Sequence, residues 1–102
     1  YNKRSKETIM KKIKKSFPAM AKVVRKYRLS ANKGRGYSQG ELSNLLGYKN
    51  GQFVSNIERG LCGLPLEQVI AFCRLTEAKM CEVREALRED FDNHIAKVLY
   101  RE

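Results

Sequence analysis

The residues able to do covalent or metal chemistry are few, and their spacing works against it. Cys62, Cys73 and Cys81 are 11 and 8 positions apart, so no C-x-x-C pair exists, and the one histidine, His94, lies outside their run. Zinc sites draw on more closely paired ligands, so no metal centre is expected. An odd cysteine count, with no apolar secretory segment after a basic start, fits reduced thiols acting as small apolar side chains. Glu82, Glu85, Glu89 and Asp90 crowd one stretch and read as a solvated acidic face, able to pair with a basic helix of the same or another chain. No Ser/His/Asp order, paired-carboxylate pocket or phosphate loop accompanies them, so neither enzyme chemistry nor a cofactor is expected.

What remains is charge. The 102 residues carry 21 Lys and Arg against 11 Asp and Glu, a net charge of +10. Residues 1–37 hold 13 of the basic residues and one acid, a net +12, whereas residues 38–102 are at −2. Positive charge concentrated in this way attracts a polyanion and releases its counterions. The plainer alternative is the solvated face of a charged helix. Hydrophobic residues make up 42% and charged residues 31%, the balance of a single domain with a modest core. Seven Gly and two Pro exclude collagen-like and low-complexity classes, and no apolar run approaches the length of a membrane span.

The elements that must position these charges are helical. Ile9, Ile13, Phe17, Met20, Val24 and Tyr27 recur at steps of three and four. Pro18 interrupts them and predicts two helices, the second opening at Pro18 with Ser16 as its cap. The first, within residues 1–17, carries Lys11, Lys12, Lys14 and Lys15; it reads as an electrostatic extension, the alternatives being a membrane-surface or partner-groove helix, or an apolar stripe that belongs to the core. Residues 31–37 form a loop in which Asn32, Gly34 and Gly36 offer positive φ. Ser38 and Glu41 form an S-x-x-E capping box at the start of a helix that places Leu42, Leu45 and Leu46 on one face, and Gly47 stops it in the left-handed conformation. Asn50 is placed to cap another short helix carrying Phe53, Val54 and Ile57, ended by Gly60. Pro65 opens a helix with Leu66, Val69, Ile70, Phe72 and Cys73, apolar on most sides and therefore expected to be central. Thr76 is expected to cap the last helix, with Glu77 in its first turn. That helix shows a seam of Met80, Val83, Leu87, Phe91, Ile95 and Val98. No strand pattern appears, so the chain reads as all-α. It divides into a basic extension (1–17), a helix-turn-helix domain (18–76) and a C-terminal helix (77–102).

Two short helices around a glycine-containing turn are a common shape, but the residues here are particular. Ser38-Gln39-Gly40-Glu41-Leu42-Ser43-Asn44-Leu45-Leu46-Gly47 resembles the L-S-Q-x-E-L-A-x-x-L-G signature of the lambda-repressor-like, XRE/Cro-type transcriptional regulators. Phe53-Val54-Ser55-Asn56-Ile57-Glu58-Arg59-Gly60 resembles their I-S-x-I-E-x-G block, and Leu64-Pro65-Leu66-Glu67 resembles the start of their fourth helix. The resemblance covers residues 18–76. The turn after Gly47 is one residue longer than the commonest family form, and the loop before Ser38 is longer by several.

The resemblance implies the lambda-repressor-like fold of about five helices, here with an extra basic N-terminal helix and a long C-terminal one. It implies a sequence-specific DNA-binding regulator, a repressor by preference, in a bacterial or phage-encoded setting in the cytoplasm and at the nucleoid. Gln39 would hold a phosphate at a helix N-terminus. The helix from Gly51 to Arg59 would enter the major groove. Gln52 and Asn56, one turn apart, would read bases, an amide pairing bidentately with adenine. Gly51 would allow close backbone approach, Ser55 would touch a base or a phosphate, and Lys49 and Asn50 would touch phosphates. Arg59, Lys33 and Arg35 would approach the DNA backbone; Arg35, between two glycines, is either a minor-groove arm or a solvated loop side chain. Glu58 would pair with Arg28, or failing that Arg25. Leu42, Leu46, Val54 and Ile57 would be core, and Phe53 would face the core or a thymine methyl. Double-stranded DNA is the expected partner and no membrane is involved. The long C-terminal seam points to a homodimer, its alternative being that Phe91, Ile95, Val98 and Leu99 cover the N-terminal helix. Two other readings stay open: an antitoxin-type protein that also binds a toxin partner or co-regulator, and a nucleic-acid-binding module without sequence choice.

Overall fold

Backbone hydrogen-bond accounting explains where each helix starts and stops. A computed structural model describes residues 17–100, within which there are five α-helices and no strand. These are α1 (Pro18–Ser30), α2 (Gln39–Leu45), α3 (Gln52–Glu58), α4 (Leu66–Thr76) and α5 (Met80–Leu99), with a 3-10 turn at Asn32–Gly34. The all-α expectation therefore holds across them. The basic helix expected over residues 1–17 lies outside the described residues except for Phe17, as does Ser16.

Helix α1 opens at Pro18, as expected, but its N-cap residue is Phe17, with no side-chain cap of its own. A proline at this position has no N–H to satisfy. The next two N–H groups, of Ala19 and Met20, donate to Asp90 Oδ1 at 3.0 Å and Oδ2 at 2.9 Å, and Ala21 N–H then reaches the Phe17 carbonyl at 3.1 Å. A carboxylate 70 residues away in sequence thus closes the first turn of α1. Asp90 is 2% exposed, so it does not belong to the solvated acidic face expected for it. Glu82 stays at the surface and pairs with a basic helix of the same chain, as the reading allowed, accepting from Lys26 Nζ at 2.7 Å and the Tyr27 hydroxyl at 2.9 Å. These contacts make α1 and α5 antiparallel neighbours.

The core draws on every helix: Met20 and Val24, Leu42, Val54 and Ile57, Val69 and Phe72, Val83 and Ala86, with Leu46 and Leu64 from the connections. Phe72, fully buried, is the largest of these side chains and contributes about 2–3 kcal/mol by leaving water. Leu45 does not share the face of Leu42 and Leu46 and is exposed, because adjacent helical positions diverge by about 100°. Helix α4 is not enclosed as expected. It buries Val69, Phe72, Cys73 and Thr76, while Leu66 and Ile70 are 78% and 55% exposed on its other side.

Thr76 does not cap the last helix. It closes α4, where its hydroxyl donates to the Phe72 carbonyl at 2.7 Å, and its burial there leaves no hydroxyl free to cap a following helix. Glu77 is left-handed at φ 58°, not in a first turn, and α5 begins at Met80 after Lys79. Among the thiols, Cys73 is buried and Cys62 half-buried, and burial pushes both up from their ordinary pKa, whereas Cys81 is exposed rather than a buried apolar residue. The α5 seam is buried over only part of its length: Met80 is half exposed, and burial ends at Asp90.

Candidate nucleic-acid interface

Helix α2 begins where the capping box predicts. Ser38 Oγ accepts from Glu41 N–H at 3.0 Å, and Glu41 Oε1 accepts from Ser38 N–H at 2.7 Å. The helix is seven residues long and ends at Leu46, followed by Gly47 at φ +97°. That angle would strain any side chain bearing a Cβ, which is why glycine ends the helix. Tyr48 N–H then reaches back to the Ser43 carbonyl at 2.9 Å.

The longer turn is used in two ways. Tyr48 stacks on Phe53, with ring centroids 3.7 Å apart and planes within 9°, so one face of Phe53 is covered by a neighbour. Asn50 Oδ1 accepts the Gln52 N–H at 2.9 Å, so Asn50 supports the start of α3 from one position before its N-cap, Gly51. A second donor of that first turn, Val54 N–H, is taken by Ser43 Oγ of α2 at 3.1 Å, and Ser43 is fully buried. Gly51 permits a close approach, but the approach seen is to α2: a Cβ there would stand 3.2 Å from Gly40 Cα.

Glu58, at the end of α3, fixes the relation of three helices. Arg28, its expected partner, grips it with both Nε and Nη2, the latter at 2.9 Å, and donates Nη1 to the Tyr37 carbonyl at 2.9 Å. Arg25 comes within 4.0 Å. Gln39 Nε2 donates to Glu58 Oε1 at 3.1 Å, so the amide expected to hold a phosphate is oriented by a carboxylate of the same molecule. The Arg28 and Glu58 side chains are 9% and 4% exposed, so the bidentate pair is largely withdrawn from water.

The remaining candidates sit as follows. Gln52 is exposed and Asn56 half-buried, one turn apart on α3, and neither side-chain amide bonds to another described residue. Ser55, between them in sequence, is half-buried. Lys49 and Asn50 are exposed in the turn, and Arg59 is exposed at the α3 C-cap. Thus α3 and its turn bring Lys49, Asn50, Gly51, Gln52, Ser55, Asn56 and Arg59 into one short segment, and Glu58 ties Gln39 to it. Lys33 and Arg35 belong to a different segment, the loop after α1, where both are exposed. Asn32 and Lys33 have positive φ, as do Gly34 and Gly36, and a Cβ on Gly36 would stand 2.8 Å from the Leu29 carbonyl. Positive φ at Lys33 was not anticipated. The sequence reading also missed Tyr48, whose aromatic pairing with Phe53 across the turn was the available signal, and the buried role of Ser43.

Among the described residues no three His, Cys, Asp or Glu side chains converge as a metal ion would require. No helix among them is long and apolar enough to cross a membrane. No protein-family model matches the chain, and a search of curated proteins and of solved structures finds no match either.

Proposed function

We propose that this chain is a sequence-specific DNA-binding transcriptional regulator of the lambda-repressor-like type, acting by occupying its site rather than by chemistry. The observation that carries the reading is the exposed end of α3. Gln52 and Asn56 hold amides one turn apart that bond to no other described side chain, on a helix whose angle to α2 is held by the Arg28–Glu58–Gln39 cluster and by the Ser43–Val54 bond. A helix presented in this way fits a major groove, and an amide can read adenine there through two hydrogen bonds. Lys49 and Arg59 at either end of α3 supply phosphate contacts, and Gln39 approaches the backbone through the Nε2 hydrogen it does not give to Glu58 and through the first turn of α2. In this reading repression follows from occupancy of the site.

The test is selection of bound sequences from a random duplex pool by the full chain, followed by substitution. A common sequence element is expected. On it, Gln52→Ala and Asn56→Ala each weaken binding about 5- to 150-fold while leaving competitor binding unchanged. Arg59→Ala weakens both and lowers the salt slope by about one unit. Enrichment of no sequence, or equal loss on both DNAs for Gln52→Ala, overturns the reading.

A further inference from the structure

Two guanidinium groups and an amide stand around one carboxylate oxygen. Glu58 Oε1 accepts from Arg28 Nη2 at 2.9 Å and from Gln39 Nε2 at 3.1 Å, and Arg25 Nη1 lies 4.0 Å away. The three neighbours are not equivalent. Arg28 is withdrawn from water and commits all three of its nitrogens, two to Glu58 and one to the Tyr37 carbonyl. The buried Arg28–Glu58 pair is therefore neutral as a unit.

Arg25 is placed differently. Its side chain is 65% exposed, and 4.0 Å is beyond hydrogen-bond length, so Glu58 attracts its guanidinium without occupying a donor. Among the described residues no other carboxylate stands within 4.0 Å of it, whereas the next residue of α1, Lys26, is engaged by Glu82 at 2.7 Å. Gln39 gives one Nε2 hydrogen to Glu58 and keeps a second. A guanidinium from α1 and an amide N–H from α2 thus converge on a corner that carries net positive charge. That corner belongs to the reading surface. Glu58 lies about 9 Å along α3 from Gln52, and a major groove is about 12 Å wide, so a helix that reads bases from Gln52 has a groove wall within reach of the corner.

We propose that Arg25 and Gln39 together hold one phosphodiester of the DNA backbone, which makes α1 a third contact element beside α2 and α3. The proposal rests on the DNA-binding reading. A phosphodiester presents two free oxygens, and with each about 2.9 Å from its donor the group spans from Arg25 to Gln39. Arg28 cancels the charge of Glu58, so the carboxylate orients both donors without repelling the anion they receive. A backbone contact of this kind fixes the orientation of α3 in the groove and carries no base preference of its own.

The contact is tested by anisotropy of the full chain on the selected and the scrambled duplex, each titrated across salt. Arg25→Gln keeps a polar side chain and removes its charge. It is expected to weaken both duplexes alike, about tenfold, to lower the salt slope by about one unit, and to lower Tm by less than about 4 °C. Arg25→Lys is expected to restore the slope. Combined with Gln39→Ala, Arg25→Gln is expected to lose less than the two single losses together, because both side chains hold one group. A neutral methylphosphonate, walked along the selected duplex, is expected to find one position at which the wild type weakens and Arg25→Gln does not. An unchanged slope for Arg25→Gln, a loss confined to the selected duplex, or a fall in Tm without a fall in slope would overturn the proposal, the last making Arg25 a second structural partner of Glu58. Sequence selection with an unchanged slope removes this contact and leaves the regulator. A lowered slope with no sequence selected removes the regulator's specificity and leaves the contact.

Discussion

Glu58 is the residue on which the candidate interface depends most, because its carboxylate meets an arginine of α1 and an amide of α2 from the end of α3. Glu58→Ala leaves the Arg28 guanidinium buried without its counter-charge and is expected to cost about 3–5 kcal/mol in urea unfolding. A loss below about 1 kcal/mol would show that the pair is not withdrawn from water as described. The Lys26–Glu82 pair is exposed and acts differently. The hydrogen bond from Lys26, then that from Tyr27, holds the Glu82 carboxyl below its ordinary pKa, and the bond to Glu82 raises Lys26. Glu82's contribution is therefore present above its ordinary value of 4.5 and lost as pH falls through the lowered one; that of Lys26 is complete below 10.5 and lost as pH rises through the raised one. Glu82→Gln is expected to flatten both flanks of a stability–pH profile, and an unaltered profile would contradict the assignment. At this scale legibility was uneven. The Arg28–Glu58 partnership was readable from the resemblance. The Asp90 cap was not, because a carboxylate among other acids on an amphipathic helix carries no local sign of a long-range partner.

Among elements, α2 was the most legible, since its capping box and its glycine stop are local signals. The α4–α5 junction was the least. Thr76 has the side chain of a cap, yet its burial makes it the end of the preceding helix instead. The apolar content of α4 similarly overstated its enclosure, because composition does not reveal that Leu66 and Ile70 have no neighbouring helix among the described residues. The contact that joins α1 to α5 is testable at this level. Asp90→Ala removes both acceptors for Ala19 and Met20, and a loss of about 2 kcal/mol is expected, with early exchange of the amide hydrogens at the start of α1. Protection of those amides equal to that of the wild type would mean that the helix start is satisfied in another way.

For the whole molecule, the proposed reading gives the division of charge and the placement of α3 separate contributions to binding. The +12 of residues 1–37 favours any polyanion and fades with salt, whereas the amides of α3 are useful only against the right bases. Which of the two dominates was not legible in composition, since both readings need the same basic residues. The direct measurement is fluorescence anisotropy of the full chain on its selected duplex and on a scrambled duplex, at two salt concentrations. The account predicts binding to the selected duplex roughly a thousandfold tighter than to the scrambled one, with the ratio largely retained as salt weakens both. Equal affinity for the two duplexes, vanishing together at the higher salt, would contradict it and assign the binding to the basic segment alone.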